Sequence, residues 1–248
     1  MRASLTQLSR RTLRLGTAAL AATLPLATLA GDLSSVDRLT QSQFRLMSED
    51  LGAALSFKPL VPAEPLGTTG FDLGVAVTAT DLKNPGLLSL ATNGSSIPAY
   101  APVPSIRLHK GLPFNIDVGL SYSALPSTNI KLWGGELRWA VLEGNTALPA
   151  IAVRGAYNAS SGVDQLKLRT ASADVSISKG IAMFTPYAGV GQVWVKSTPQ
   201  GVPTLREESF TQGKVFVGMN INLGVNFAVE ADKTGGITSI GAKVGFRF

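Results

Sequence analysis

The chain reads as an all-β protein: a transmembrane antiparallel β-barrel of about ten strands, preceded by a short N-terminal helical segment. Three observations predict this. From residue 70 onward, apolar residues alternate with small or polar ones at a period of two, the spacing of side chains on opposite faces of a strand. Mean hydropathy is positive, +0.22, yet no run beyond the N-terminus approaches the ~18–20 apolar residues that a membrane helix needs. The connections between the alternating segments are short at one end and include two long ones at the other, as in barrels with short periplasmic turns and long extracellular loops.

Residues 1–30 read as a secretory signal peptide. Arg2, Arg10, Arg11 and Arg14 give a basic start, an apolar stretch runs from Leu13 to Leu29, and Thr28-Leu29-Ala30 places small residues at −3 and −1 of a cut after Ala30. Ser9-Arg10-Arg11-Thr12-Leu13 resembles a twin-arginine signal. That pathway carries folded cargo, and a barrel is not folded before insertion, so ordinary secretion is expected. The formal charge of +6 owes much to this leader. Without it, 18 basic residues face 16 acidic ones, which is no electrostatic footprint for nucleic acid. The chain has no cysteine, so disulfides, thiolate catalysis and thiolate metal sites are excluded.

Residues 31–69 carry a helical period in place of the strand period. Val36, Thr40, Phe44, Met47, Leu51 and Leu55 recur at helical spacing, and Asp32 or Ser34 is placed to cap the start. Pro59, Pro62 and Pro65 then impose an extended linker. A helix resting against the periplasmic mouth is the favoured placement, and a plug inside the lumen the alternative. Residues 70–248 form the barrel.

The strands are read as residues 70–80, 103–110, 114–124, 130–142, 150–158, 166–178, 185–196, 214–223, 226–232 and 237–248. Phe71, Leu73, Val75 and Val77 alternate with Asp72, Gly74, Ala76 and Thr78; Val215, Val217, Met219 and Ile221 alternate with Lys214, Phe216, Gly218 and Asn220. In the seventh, the run Tyr187–Trp194 does not declare its outer face. The long connections are residues 81–102 and 197–213. An even strand number puts both termini in the periplasm.

The chain ends Gly245-Phe246-Arg247-Phe248, which resembles the C-terminal insertion signal of outer-membrane barrels. Phe246 and Phe248 match its two aromatic positions, and Lys243 stands where the pattern has glycine. Segments Gly111–Gly144 and Ser176–Val195, with this terminus, also resemble a group of uncharacterised proteobacterial outer-membrane proteins. The resemblance implies the fold, a location in the outer membrane of a Gram-negative cell, and contact with the barrel-insertion machinery. It brings no established activity.

On the lipid side, Tyr122, Trp133, Trp139, Tyr157, Phe246 and Phe248 are placed to form interfacial girdles, with outer-membrane lipid and lipopolysaccharide as neighbours. The inward positions carry six acids, Asp72, Asp117, Glu136, Asp174, Glu230 and Asp232, and six bases, Arg107, Arg138, Arg154, Lys214, Lys243 and Arg247. Confined charges must be paired or hydrated. Two functions fit a lumen lined this way: a small channel or uptake barrel for small solutes, or a closed barrel acting through its extracellular loops. A selective pore usually shows one sign of charge, so the balance points to a packed lumen; inward Gly, Ala and Ser leave space and point the other way.

An enzyme is not expected. Barrel hydrolases typically use a histidine, and the single one, His109, lies beside the Gly111 turn, far from the outer face. Ser105 and Ser121 are nucleophiles by residue type only. There is no metal-ligand spacing, phosphate loop or dinucleotide fingerprint, so no cofactor or metal is expected, and Gly189-x-Gly191 falls within a strand.

Overall fold

A computed structural model describes residues 31–125 and 128–248; the proposed signal peptide lies outside the described residues. Ten antiparallel strands close into a barrel in sequence order, β1 (Phe71–Asp81), β2 (Tyr100–Leu112), β3 (Ile116–Ala124), β4 (Lys131–Leu142), β5 (Ala150–Ser161), β6 (Leu166–Ser178), β7 (Phe184–Pro199), β8 (Glu208–Asn222), β9 (Asn226–Thr234) and β10 (Ile237–Arg247). β1 pairs with β10 from Asp72↔Arg247 to Thr80↔Ser239, so no strand edge is left unpaired.

The barrel is inside-out by the standard of a protein in water. Leu120, Val217 and Ile240, all on the outer face, are 65%, 59% and 64% exposed, whereas the charged residues that alternate with such positions are buried. Only a surrounding hydrocarbon makes that arrangement stable. Trp139, Phe184, Phe227, Phe246 and Phe248 ring the short-turn end; Tyr100, Trp133, Tyr157 and Trp194 ring the long-loop end. Tyr122 is partly covered because its ring packs on Trp133 at 4.5 Å.

Several strands are longer than the alternation implies. β2 begins at Tyr100, β7 runs on to Pro199 and β8 begins at Glu208, which shortens the long connections to residues 82–99 and 200–207. The added part of β8 is polar because its inward residues serve the helix inside: Glu208 meets Arg45, and Gln212 donates to the Glu49 carbonyl. Loop 82–99 carries a short helix, α2 (Pro85–Ala91). In β7 the lumen face is Tyr187, then Val193 and Val195, with Val190, Gln192 and Trp194 outside.

The N-terminal segment departs from the favoured placement at the periplasmic mouth and takes the alternative one, inside the lumen. Helix α1 (Gln41–Leu55) comes after a 3-10 turn (Val36–Arg38), and its cap is Thr40 rather than Asp32 or Ser34. Thr40 and Gln43 form a reciprocal capping box. The helix does not rest on the short-turn mouth. It lies inside the barrel at the other end: Ser48 donates to Ser197 near the end of β7 at 2.8 Å, and the Asp50 carboxylate accepts the amides of Lys83 and Asn84 just beyond β1. Its start sits among the long loops, with Ser35 donating to Ala91 of α2 and the Arg206 amide donating to Gln41.

From Ser56 the chain runs extended down the lumen and leaves at the short-turn end, where Leu66 donates to Asp117 and the Gly111 amide donates to the Gly70 carbonyl. Residue 31 and residue 248 therefore lie at opposite ends of the barrel. This corrects the expectation of two periplasmic termini: even strand number returns β10 to the side where β1 began, but the chain reaches β1 by first passing through the lumen.

Candidate functional site: the occupied lumen

The lumen has two halves of different chemistry. In the long-loop half, inward residues Val103, Leu132, Leu168, Val193 and Val195 join Phe44, Met47, Leu51 and Leu55 of α1 and Leu88, Ile130, Val202 and Leu205 of the loops in one buried apolar cluster. Alternation alone assigns apolar side chains to the outer wall. These inward ones escape it because an apolar residue on either face fits a strand that is buried on both sides.

In the short-turn half the twelve charged residues that alternation selects all face the lumen, buried except for half-buried Arg247. Five of them pair across the wall. Lys243 holds Asp72 at 2.6 Å; Arg154 bridges Glu136 and Asp174 at 3.3 Å each. Glu136 also lies 3.0 Å from the single histidine, His109.

The other seven bind the N-terminal segment itself. An extended prolyl chain makes no internal hydrogen bonds, so every buried amide and carbonyl needs an outside partner. Here the wall supplies them. Lys214 donates to the Phe57 carbonyl at 2.5 Å, Arg107 to those of Lys58 and Pro59, Arg138 to that of Pro62, and Arg247 to that of Glu64. Glu230 accepts the Leu60 amide at 2.8 Å, and Asp117 accepts that of Leu66 at 3.1 Å while also pairing with Arg138 at 2.5 Å. Asp232 holds the Lys58 ammonium at 2.9 Å.

Lys58 is thus a seventh base in the lumen, brought by the segment rather than by a strand. Uncharged groups complete the set and were not legible in the sequence: Ser178 accepts the amides of Ala63 and Glu64, Asn158 donates to the Leu55 carbonyl, and Tyr187 donates to Glu230 at 3.0 Å. Leu60 is fully buried with a left-handed backbone, φ 53°, a conformation costly for a branched side chain and kept only where the surroundings dictate it. It packs over Gly241, where a Cβ would come to 3.0 Å from one of its methyl groups and 3.6 Å from the other.

What space is left is small. An apolar cavity beside Leu51, Leu55, Leu88 and Val103, and a polar one lined by Lys58, Ser105, Arg107, Ser121 and Asn158, hold room for little more than water. Ser105 and Ser121 share the second cavity. His109 is not on its lining and is turned to Glu136 instead. Among the described residues no group of His, Asp and Glu has the spacing of a metal site.

No protein-family model matches the chain, and no curated protein sequence matches it either. Among solved structures it is similar to the N-terminal β-barrel domain of Pseudomonas aeruginosa OprF, with 12% identity, coverage of 73% of this chain and 99% of that one, and a TM-score of 0.39. The KdgM porin is 6% identical over 71% of this chain and 99% of its own, TM-score 0.36. An active-site mutant of the outer membrane phospholipase A from Escherichia coli is 12% identical over 80% and 98%, TM-score 0.34.

Proposed function

We propose that the protein is an outer-membrane β-barrel held shut by its own N-terminal segment, and that it acts at the cell surface through its long-loop end. One observation carries this reading: seven of the twelve lumen charges are committed to residues 57–66, and the helix before them is the core of a dry apolar layer. Emptying the lumen would hydrate that layer and strand buried ions, each of which costs several kcal/mol by order of magnitude when its partner is removed. A segment so bound is a structural core. It is not built as a freely moving gate.

The long-loop end is the part that has something to show. It gathers α2, loop 200–207 and the start of the threaded segment into one packed unit, tied by Ser35 to Ala91, Val36 to Gln165 and Gln41 to Arg206. With short turns in the periplasm, that unit and residue 31 face the outside.

Two measurements test the proposal. Planar-bilayer conductance of refolded residues 31–248 is expected to be silent; steady channel openings would reverse the conclusion in favour of solute passage. A tag placed before Gly31 should be reached by antibody on intact cells, and a tag reached only after the outer membrane is opened would turn the barrel the other way up. The uptake reading requires the segment to leave the lumen, which a cross-link between α1 and β7 would prevent.

A further inference from the structure

The outer wall at the long-loop end carries an unbalanced charge pattern. Lys131, Lys167, Arg169, Lys196 and Lys233 all stand on exposed, outward strand positions near this end, against a single outward strand acid, Asp81. Three of the five are neighbours. Arg169 of β6 lies directly opposite Lys196 of β7, and Lys167 is the next outward residue on β6. Like charges opposite one another on a sheet repel, so the arrangement is unfavourable unless an anion joins it. Two acids stand near. Glu207 binds Lys196 at 2.8 Å and also accepts the Thr198 hydroxyl, and Asp164 lies in the β5–β6 turn. Among the described residues Lys167 and Arg169 have no salt-bridge partner.

One step toward the membrane centre the wall changes character. Ala171 is opposite Tyr157 on one side and Trp194 on the other, and Ala173 below it is opposite Gly155 and Gln192. The two aromatic rings, both about half exposed, therefore stand as walls on either side of a shallow strip of small residues that runs down from the cations into the apolar belt. Aromatic residues at this position mark the headgroup level of a bilayer.

We infer that the β5–β7 wall is a binding surface for a phosphorylated, acylated glycolipid of the outer leaflet. Its phosphate would lie on Lys167, Arg169 and Lys196, its sugar against Tyr157 and Trp194, and an acyl chain along Ala171 and Ala173. The guanidinium of Arg169 offers the paired donors that suit phosphate oxygens. The inference rests on the long-loop end facing outward.

The test uses the full mature chain refolded in detergent. Native mass spectrometry and the thermal midpoint of the folded, heat-shiftable gel band would be followed with bisphosphorylated lipid A, with the same lipid after phosphatase treatment, and with phosphatidylglycerol. The bisphosphorylated form should bind at least about tenfold more tightly than the other two, the scale of one charge-assisted contact, and should raise the midpoint. R169Q/K196Q should lose the preference, while K233Q keeps it. Equal binding of phosphorylated and dephosphorylated forms, or an unaltered preference in R169Q/K196Q, would overturn the site. Equal competition by phosphatidylglycerol would reduce it to a general anionic patch and overturn the glycolipid assignment. If the double variant does not fold, the lipid comparison on the unaltered protein decides alone. The gel shift reports on the barrel separately, so a chain that shifts but shows no preference fails this inference and leaves the barrel standing.

Discussion

His109 and Glu136 meet across an empty position. His109 on β2 and Glu136 on β4 are both in register with Gly119 on β3, and the missing side chain lets His109 Nε2 reach Glu136 Oε1 at 3.0 Å over an intervening strand. A Cβ at residue 119 would fall 2.4 Å from His109 Cδ2 and 2.7 Å from Glu136 Cγ. The pair sits in the same buried network as Arg154 and Asp174. Gly119→Ala should therefore cost about 1–3 kcal/mol through overpacking, read as a lower urea midpoint for loss of the folded gel band. No change in midpoint would mean that the two side chains have other room to move.

Arg138 ties a wall acid to the threaded chain, bonding Asp117 at 2.5 Å and the Pro62 carbonyl. Arg138→Ala leaves Asp117 buried with only the Leu66 amide as partner, and the expected loss is about 3–5 kcal/mol. Arg138→Lys should lose less, because it keeps the charge and gives up the forked geometry. Urea titration of both variants against the parent orders the three.

Because the chain has no cysteine, a disulfide can be introduced cleanly. The Ser48 and Ser197 hydroxyl oxygens are 2.8 Å apart and buried. A chain with Ser48→Cys and Ser197→Cys should oxidise to an intramolecular disulfide, visible as protected thiols and an altered mobility. Free thiols after oxidation would place α1 elsewhere than against the end of β7.

Phe44 is fully buried at the centre of the apolar layer. Phe44→Ala should cost about 3–5 kcal/mol, and the helix rather than the barrel should suffer first. Limited proteolysis would show cleavage within residues 41–55 while the strands keep the mobility of the folded band in an unboiled gel. Uniform loss of both would make helix and barrel one cooperative unit.

Loop 200–207 gives a pH prediction. The Lys196 ammonium and the Thr198 hydroxyl hold the Glu207 carboxyl below its ordinary value of 4.5. For a lowered acid pKa, the folded state gains above the unfolded pKa and loses that gain as pH falls through the folded one. The loop should thus be tighter at neutral pH and loosen only below about pH 4.5. Amide exchange of residues 200–207 measured from pH 7 to pH 3 should show it, and Glu207→Gln should flatten the profile. Since the group is exposed, the effect is confined to the loop and screened by salt.

The strands were legible because a bilayer punishes errors of pattern: an outward charge in hydrocarbon or an inward hydrophobe in a wet lumen is costly, so Phe71–Val77 and Val215–Ile221 declare their faces. Where the lumen is dry the rule lapses. Val193 and Val195 face an apolar helix, which is why β7 gave no clear face. The charged lumen residues were found by alternation, but their purpose was not. A balance of six and six looks the same whether charges pair with each other or with a backbone; nothing in Arg107 or Glu230 says that its partner is the carbonyl of Pro59 or the amide of Leu60.

By itself the sequence determined the barrel, a count of about ten strands and which charged side chains turn inward, since periodicity is a local property imposed residue by residue. It also marked residues 31–69 as a helix and a prolyl linker. Only the tertiary structure decided where that segment lies, and hence that residues 31 and 248 sit at opposite ends. The reason is that threading is set by the match between lone backbone groups at residues 55–66 and donors or acceptors on eight strands up to 183 residues away, a match that no window of sequence contains.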